Sequence, residues 1–342
     1  MHDIRAALDR LPRFPLATLP TPLEDLPALT RHLGGPRILM KRDDLTGFAL
    51  GGNKSRKLEF LVADALRRGC TTLVTAGAAQ SNHCRQTAAA AAKAGLACEL
   101  ILGGTPADVN LPSGNLLLDL LFGATLHWTE RERRLERMGE VAAALTARGK
   151  RPYVIPYGGS NPVGAVGYLL AYLEFVEQCI ALHVSPDTVV VASSSGGTQA
   201  GMMAGAALAE TRAVVRGISI DKGERDPVPF EQELAEIANG ALSLLGNPAR
   251  VSPGDARVEY GYLGGGYGVV GPLEREAITV VARTEGIVLD PVYAGRAMGA
   301  LIDMIRNARQ DLGDTVVFWH TGGSPALFAY ASELAPSRTA DR

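Results

Sequence analysis

The sequence predicts an α/β protein with two doubly wound, mostly parallel β-sheets. Short apolar, β-branched runs alternate with longer segments of helical periodicity along nearly the whole chain, as is typical of α/β folds. Each return to a parallel neighbour needs a crossover, which the intervening helices supply. The chain has 342 residues, whereas a single hydrophobic core usually stops growing at about 250–300 residues. We therefore predict two sheets rather than one.

The first half of the chain supports this class element by element. After a proline-rich start, residues 37–41 predict a strand. A helix begins near Lys54, with apolar residues recurring on one face until Gly69, which is a typical C′ glycine. The further units are strands 71–76, 97–102, 124–128 and 152–156 and helices 82–94, 113–122 and 130–148.

The second half repeats the alternation. It predicts strands 188–193, 214–220, 257–262 and 315–320 and helices 198–210, 229–240, 271–285 and 293–309. The glycine- and proline-rich segment 156–164 and the irregular segment 42–53 are the predicted crossing points between the two sheets.

Composition and charge narrow the function classes. Lys and Arg total 34 against 36 Asp and Glu, a net charge of −2, so the chain lacks the basic excess that nucleic-acid binding needs. The uncharged stretch 152–173 is interrupted by prolines and glycines, and we expect a loop leading into a helix rather than a membrane span. No apolar segment follows the N-terminus, so we expect a cytoplasmic protein.

Cysteine and histidine spacing gives no metal or disulfide pattern. The four cysteines contain no C-x-x-C pair, and we expect free thiols. The six histidines form no H-E-x-x-H motif, so no metal site is predicted.

One loop suits a single phosphate group. Strand 188–193 leads through Ser195, Gly196, Gly197 and Thr198 into a helix, which aims backbone N–H groups, hydroxyls and the positive helix end at one point. The nucleotide motifs G-x-x-x-x-G-K-[ST] and G-x-G-x-x-G are absent. A tight turn that binds nothing is the alternative.

A lysine follows a second glycine-rich loop. Lys54 lies in the first turn of a predicted helix, where the helix dipole disfavours a cation. A partly buried lysine with a lowered pKa can act as a Schiff-base nucleophile. The alternative is a solvated surface lysine, which the neighbouring Arg56 and Lys57 would favour.

Two further loops offer polar groups. Ser81, Asn82 and His83 open a predicted helix, where their side chains and free N–H groups can receive a carboxylate, although Ser81 or Asn82 can simply be an N-cap. Thr321 follows the last strand and can offer a hydroxyl to a ring nitrogen or cap a helix. A lysine, a phosphate site, a carboxylate site and this hydroxyl together predict a pyridoxal 5′-phosphate enzyme acting on a small amino acid.

Ordered motifs across the chain resemble one enzyme family. The chain resembles the D-cysteine desulfhydrase and 1-aminocyclopropane-1-carboxylate (ACC) deaminase family, which has the tryptophan synthase β-like fold of fold type II pyridoxal phosphate enzymes. The motifs are KRDD at 41–44, GGNKSRKLE at 51–59, QSNH at 80–83, GGSN at 158–161, DPVY at 290–293 and HTGG at 320–323.

The resemblance implies the domains and the roles of the site residues. It implies a large cofactor-binding domain of residues 1–53 and 165–342, a small domain of 54–164, the cofactor in the cleft between them, and a homodimer. It implies that Lys54 forms the Schiff base and removes the substrate's Cα proton. It implies phosphate binding by Ser195, Gly196, Gly197 and Thr198, a cofactor contact from Asn82, and carboxylate binding by Ser81, Asn82 and His83. It also implies that Tyr267 and Tyr293 line the pocket, and that Ser81 and one of these tyrosines take part in catalysis, the tyrosine by assisting the leaving group or a proton transfer.

The position after Tyr293 separates the branches of the family. ACC deaminases carry a glutamate where this chain has Ala294, so Thr321 is the expected partner of the cofactor's ring nitrogen. A neutral hydroxyl favours an unprotonated ring nitrogen, which makes the ring a weaker electron sink. Such a sink is enough for β-elimination of a good leaving group. The resemblance therefore implies a D-cysteine desulfhydrase-like lyase.

Other activities stay open at this point. Ser55, Arg296 and residues 264–266 depart from the family pattern, so L-cysteate sulfo-lyase, ACC deaminase, and D-serine or β-chloro-D-alanine elimination remain alternatives. A non-catalytic protein that binds an amino acid or phosphate is an alternative of another class, against which Lys54 in its motif counts. A nucleotide-binding Rossmann enzyme is disfavoured by the absent G-x-G-x-x-G motif.

Overall fold

The computed structural model describes residues 10–106, 112–223, 228–307 and 311–335. Within these ranges the strands are β1 (Leu23–Asp25), β2 (Arg37–Arg42), β3 (Thr72–Ala78), β4 (Ala97–Gly103), β5 (Thr125–Thr129), β6 (Pro152–Val154), β7 (Thr188–Ser193), β8 (Val214–Ser219), β9 (Arg257–Glu259) and β10 (Thr315–His320).

The helices connect these strands. They are α1 (Pro27–Leu33), α2 (Lys54–Arg67), α3 (Asn82–Ala94), α4 (Gly114–Leu121), α5 (Arg134–Ala147), α6 (Pro162–Leu182), α7 (Gly197–Ala209), α8 (Phe230–Leu244), α9 (Pro272–Glu285), α10 (Ala294–Arg306) and α11 (Ala331–Leu334).

The larger sheet has six strands in the order β1-β2-β10-β7-β8-β9. Only β1 pairs antiparallel, with β2; the other pairs are parallel. Successive side chains of a strand point to opposite faces, and in β10 Val317 and Trp319 join a core with α6, α7 and α8, whereas Val316 and Phe318 join a core with α1, α9 and α10. Helices therefore cover both faces, as the predicted fold class requires.

The smaller sheet has four parallel strands in the order β5-β4-β3-β6. Leu73 and Leu100 face α2 and α3, and Val74 and Ile101 face α5. The two predicted doubly wound sheets are thus confirmed, and all four strands lie within the predicted small domain. The domain boundaries themselves stay a prediction.

The uncharged stretch 152–173 contains strand β6 and the start of helix α6. This helix has 21 residues and is apolar enough, by length and composition, to cross a membrane, but half of its most apolar window is buried inside the protein. It packs against α2, α7 and α8. We therefore assign α6 as a core helix, in agreement with the prediction.

Several predicted bounds were wrong. The strand predicted for 257–262 ends at Glu259, before a glycine-containing turn, and the helix predicted from residue 130 starts with a 3₁₀ turn, so that α5 begins at Arg134. The short elements β1 and α1 were not predicted, because prolines at 20, 22 and 27 interrupt the periodicity there.

Candidate active site

A polar cleft lies where the carboxyl ends of strands from both sheets meet. The loops after β3, β7 and β10 supply most of its wall, which is where ligands bind in open α/β sheets. The lining residues are Asn53, Lys54, Ser81, Asn82, His83, Tyr157, Gly158, Ala192, Ser193, Ser194, Ser195, Gly196, Thr198, Tyr293 and Thr321. The cleft thus brings together nearly all of the residues that the sequence singled out, from five separate segments of the chain.

Lys54 is the first residue of α2 and lines this cleft. Its Nζ donates to Asn53 Oδ1 at 3.1 Å, and Asn53 Nδ2 in turn donates to Thr198 Oγ1 at 3.1 Å. Removal from water lowers the pKa of Lys54 to about 8; the charge of Asp290 raises it and that of Arg85 lowers it further. A lysine in this state supplies a useful fraction of neutral, nucleophilic amine near neutral pH.

The loop before Lys54 is held from three sides. Gly52 N–H donates to Thr46 Oγ1 at 2.8 Å, and Asn53 N–H donates to the Thr321 carbonyl at 2.9 Å. The Gly51 carbonyl accepts from Arg85 Nη2 and from Gln86 Nε2, each at 2.7 Å. These bonds tie the start of α2 to α3 and to the end of β10, so the position of Lys54 depends on both sheets.

The alternative that Lys54 is a solvated surface residue among charged neighbours is wrong. Arg56 is 2% exposed and Lys57 is 1% exposed. Lys57 Nζ donates to the Gly158 carbonyl at 3.2 Å and to Ser160 Oγ at 3.4 Å. Burial, together with the nearby charge of Lys54, holds the pKa of Lys57 well below its usual value.

The predicted phosphate loop forms a cup at the start of α7. Gly196 caps the helix with φ of 80°, a conformation that favours glycine, and this turns the chain from β7 into the helix. The hydroxyls of Ser193 and Ser194 are buried without a hydrogen-bond partner. Ser160 Oγ donates to Ser195 Oγ at 2.8 Å, which leaves the Ser195 hydroxyl hydrogen free to donate. The cup therefore offers several donors that the protein itself does not use.

Gly197 differs from its predicted role. Its N–H donates to Ser160 Oγ at 3.0 Å, and the residue does not line the cleft. The sequence could not show this, because Ser160 lies far away in the chain and reaches the cup only through the packing of α6 against α7.

Ser81 and Asn82 take up defined orientations at the start of α3. Ser81 is the N-cap, and its Oγ accepts from Cys84 N–H at 3.2 Å. Asn82 Oδ1 accepts from Asn115 Nδ2 at 2.8 Å, so the amide nitrogen of Asn82 is the atom left to donate. A Cβ on Gly323 would lie 2.6 Å from that nitrogen, and only glycine leaves room for the amide there.

The predicted role of His83 in binding a carboxylate stays a prediction, and the hydrogen bonds of this structure favour its backbone over its side chain. Thr75 Oγ1 donates to the Ile155 carbonyl at 2.9 Å and lies 2.9 Å from His83 Nε2, so Nε2 must carry the hydrogen and Nδ1 is bare. Burial, with the charges of Lys54 and Lys57, holds the pKa of His83 well below its usual value. A neutral imidazole with a bare, buried Nδ1 cannot donate to a carboxylate. The backbone N–H of His83, in the first turn of α3, can.

Thr321 lines the cleft just after β10, and within the described ranges no carboxylate side chain lines it. The nearby Asp290 is fully buried, and its oxygens accept from the N–H groups of Val292 and Tyr293, each at 3.0 Å, and of Ala294 at 2.6 Å. The Asp290 carboxyl is therefore occupied by the N–H groups of the turn that leads into α10. Among the described lining residues, nothing replaces the carboxylate that ACC deaminases would place after Tyr293.

Two tyrosines meet beside the cleft. Tyr293 lines it, whereas Tyr267 lies behind and reaches it through Tyr293, with the two phenolic oxygens 2.6 Å apart. Burial raises the pKa of both hydroxyls well above the ordinary value, so both stay protonated. Arg131 lies over the Tyr267 ring at 5.3 Å.

The residues of the cleft fit pyridoxal phosphate. The partnerless hydroxyls of Ser193 and Ser194 and the helix N-terminus would hold the phosphate. Lys54 supplies the amine, Asn82 Nδ2 a donor for the phenolic oxygen, and the Thr321 hydroxyl a partner for the ring nitrogen.

Sequence reasoning missed some of the lining. Asn53, Tyr157, Gly158, Ser193 and Ser194 were not singled out as site residues. Asn53 and Gly158 belong to the family motifs, and the two serines lie in the predicted phosphate loop, so the motifs contained a usable signal. Tyr157 had none, because only the fold brings it to the cleft.

Comparisons with known proteins agree with this geometry. The D-cysteine desulfhydrase of Klebsiella pneumoniae (strain 342) is 45% identical over 332 residues, covering 96% of this chain and 98% of the relative. The D-cysteine desulfhydrase of Salmonella typhi is 44% identical over 330 residues, covering 94% of this chain and 97% of the relative.

Solved structures have the same fold. A crystal structure described as an ACC deaminase homologue aligns with a TM-score of 0.88 at 36% identity over 98% of both chains. A pyridoxal 5′-phosphate-dependent aspartate racemase aligns with a TM-score of 0.67 at 18% identity, over 98% of this chain and 97% of the other. At this identity the likeness shows the fold alone. The family model for pyridoxal-phosphate dependent enzymes matches residues 15–322. The chain therefore belongs to the pyridoxal-phosphate dependent enzyme family, as its motifs and its cleft predict.

Proposed function

We propose that this protein is a carbon–sulfur lyase that converts D-cysteine and water to pyruvate, sulfide and ammonia. The observation that carries the proposal is the cleft itself: a lysine amine, a donor-lined cup and the Thr321 hydroxyl, with no carboxylate in the described lining. Relatives that are 44–45% identical over most of the chain and are named D-cysteine desulfhydrase support the choice of substrate.

Lys54 is the proposed proton acceptor. Bound pyridoxal phosphate supplies an electron sink for the bond electrons at the substrate's Cα. The Lys54 amine removes the Cα proton, and its pKa of about 8 keeps a useful fraction neutral at physiological pH. Asn53, which accepts from Nζ, orients the amine.

The start of α3 is the proposed binding site of the substrate carboxylate. The Ser81 oxygen accepts from Cys84 N–H, and the residue lines the cleft, where its rotatable hydroxyl hydrogen can donate to a carboxylate. The N–H groups of Asn82 and His83 lie in the first turn and have no intrahelical acceptor, and the helix dipole adds positive potential. These groups would fix the carboxylate and thereby present Cα to Lys54.

Tyr293 is the proposed proton donor to the departing sulfur, with Tyr267 as its hydrogen-bond partner. Tyr293 lines the cleft, and burial keeps it protonated, as a donor must be. The carbon–sulfur bond breaks with its electron pair on sulfur, and the tyrosine proton goes to that sulfur. Hydrolysis of the remaining three-carbon fragment gives pyruvate and ammonia.

The absence of a carboxylate from the described lining favours elimination over opening of a cyclopropane. A carboxylate beside the ring nitrogen would keep that nitrogen protonated and the ring a strong electron sink, whereas the Thr321 hydroxyl does not. ACC deaminase is the second candidate, because a structural neighbour at 36% identity is described as an ACC deaminase homologue.

Replacing the lysine tests the proposal. We expect Lys54→Ala to abolish sulfide release from D-cysteine and to abolish the covalent adduct that borohydride reduction of the loaded enzyme fixes to the wild type. Lys93→Ala is the matched control, since Lys93 lies exposed near the end of α3. A Lys54→Ala enzyme with wild-type turnover would rule the mechanism out.

We also propose that the enzyme is a cytoplasmic homodimer whose ligand is a small amino acid rather than nucleic acid. Support comes from the family resemblance and the net charge of −2. Light scattering of the purified enzyme tests the dimer, since a monomeric mass at micromolar concentration would contradict it.

A further inference from the structure

Arg85 is a buried arginine next to the cleft that the proposed mechanism does not use. It lies on α3 one turn after Asn82, and its side chain is 0% exposed. Its Nη1 donates to Asn115 Oδ1 at 2.8 Å and to Asn82 Oδ1 at 3.4 Å, and its Nη2 donates to the Gly51 carbonyl at 2.7 Å. One guanidinium therefore contacts both the amide that would bind the cofactor ring and the loop that carries Lys54.

The orientation of the Asn82 amide depends on this contact. Asn82 Oδ1 accepts from both Arg85 and Asn115, and only the other end of the amide, Nδ2, is left for the cleft. Arg85 also holds Asn115, whose Nδ2 donates to the Gln80 carbonyl at 2.8 Å. Without the guanidinium the amide would lose a donor that distinguishes its oxygen from its nitrogen.

Arg85 has no direct contact with a carboxylate within the described ranges, although Asp119 and Asp290 act on its charge through space. No carboxylate oxygen there forms a salt bridge with it, and its Nε has no hydrogen-bond partner. Asp119 on α4 is fully buried, both of its oxygens lack a hydrogen-bond partner among the described residues, and burial raises its pKa well above the usual value. Arg85 is thus a buried cation beside the cleft that no salt bridge within the described ranges neutralises.

Among the described residues, four ionisable groups interact electrostatically with Lys54. Arg85 lies on α3 with His83, Lys57 lies one turn along α2, and Asp290 precedes α10. Asp290 is the one acid among them and favours the ammonium, whereas Arg85 opposes it. His83 is neutral, and burial with the charge of Lys54 favours the neutral form of Lys57.

We propose that Arg85 is a positioning residue for the reaction: it orients the Asn82 amide and fixes the loop before Lys54, and its positive charge acts on the Lys54 amine. The inference rests on the proposed role of Lys54. The influence of Arg85 has two parts. The geometric part needs the planar guanidinium with its several donors, and the electrostatic part needs only the positive charge.

Two variants separate these effects. Arg85→Gln removes both the charge and the hydrogen-bonding geometry of the guanidinium. Arg85→Lys keeps the charge but loses that geometry. The readout is the rate and equilibrium of pyridoxal phosphate attachment to the apoprotein, followed by visible absorbance across a pH series on both sides of pH 8, where Lys54 titrates. Arg133→Gln, at an exposed position, is the control.

We expect Arg85→Gln to move the midpoint of the pH–rate curve to higher pH, because removing a nearby positive charge stabilises the ammonium. We expect both variants to bind the cofactor at least about tenfold more weakly, because a charge-assisted hydrogen bond is lost. Arg85→Lys should keep the wild-type midpoint.

Wild-type midpoint and affinity in Arg85→Gln would overturn the proposal. If circular dichroism shows that Arg85→Gln does not fold, Arg85→Lys decides: weaker binding at an unchanged midpoint supports the geometric role, and wild-type affinity overturns it. Lys54→Ala is measured alongside. Covalent attachment in Lys54→Ala would refute the proposed function instead, so the two failures are distinguishable.

Discussion

The phenolic oxygens of Tyr267 and Tyr293 lie 2.6 Å apart, and the two rings meet edge to face with centroids 6.0 Å apart. Only Tyr293 lines the cleft. The Tyr267 hydroxyl also forms a hydrogen bond with Tyr157, so Tyr267 holds two tyrosines of the cleft wall in place while Tyr293 can reach a ligand.

Phenylalanine substitutions should separate these roles. We expect Tyr293→Phe to lower kcat for D-cysteine by about 100-fold or more, because it removes a proton donor at the reacting sulfur. Tyr267→Phe should cost only about tenfold, the effect of losing one hydrogen bond to a positioned group. Steady-state kinetics of both variants and of the double variant checks this. A larger loss in Tyr267→Phe than in Tyr293→Phe would reverse the assignment.

His83 should stay neutral wherever the protein is folded. Its pKa is held well below the usual value by burial and by the charges of Lys54 and Lys57, and Thr75 fixes the hydrogen on Nε2. Nitrogen-15 NMR of the imidazole should show the Nε2–H tautomer throughout, and the pH–rate profile should show no step from this group near the ordinary histidine value of about 6.5. An imidazolium signal at neutral pH would contradict the proposed geometry.

Asp43 and Arg56 should make a large contribution to stability. Asp43 is fully buried and accepts from Arg56 Nε at 3.0 Å, from Tyr168 Oη at 2.6 Å and from Trp319 Nε1 at 2.9 Å. Arg56→Met would leave a buried charge without its partner, and we expect the free energy of unfolding to fall by about 3–5 kcal/mol. Urea denaturation measures it. Arg37→Ala, which breaks an exposed pair, is the control and should cost at most about 1 kcal/mol.

The loss of stability in Arg56→Met should depend on pH with a definite sign. In the wild type, burial alone would raise the pKa of Asp43, but Arg56, together with Lys41 and Tyr168, outweighs burial and lowers it. The stability from this pair is therefore fully present above the unfolded pKa of about 3.9 and is lost as pH falls through the lower, folded value. In Arg56→Met the strongest of these lowering influences is lost and the Asp43 pKa rises, so the stability deficit should shrink from pH 7 towards pH 4. A deficit independent of pH would argue against the buried charge as its cause.

The four cysteines should differ in reactivity. All are free, as predicted, and only Cys70 is partly exposed. Burial raises the pKa of Cys84 and Cys98, and that of Cys179 to about 12, so little thiolate forms there. We expect one thiol to react rapidly with a disulfide reagent in the native enzyme and all four in denaturant. A rapid native phase that persists in Cys70→Ser would contradict this.

Local chemistry made several elements predictable. Helix α3 runs over Asn82–Ala94 between the Ser81 N-cap and Gly95, whose φ is 69°, with the same bounds that the sequence predicts. Strand β7 is predicted as accurately, since its β-branched run is buried on both sides. In both cases the residues that define the element lie within it or next to it.

The parts that were missed depend on distant residues. The local sequence allowed Lys57 to lie at the surface, but in the fold α6 packs over α2. It also allowed His83 to bind a carboxylate, but Thr75 and Ile155 fix its tautomer. Asn115 is 33 positions from Asn82, whose amide it orients. No local pattern in a single sequence encodes such contacts, so the site was predictable in its membership but not in its orientations.

The most direct test of the central claim is sulfide and pyruvate release by the purified, cofactor-loaded enzyme from D-cysteine, with L-cysteine, L-cysteate and ACC in parallel. We predict preferential turnover of D-cysteine, with equal amounts of sulfide and pyruvate. Turnover of ACC in preference to D-cysteine would contradict the role given to Thr321 and to the carboxylate-free lining. No turnover of any of the four, in an enzyme that nevertheless holds the cofactor on Lys54, would contradict the proposed lyase activity.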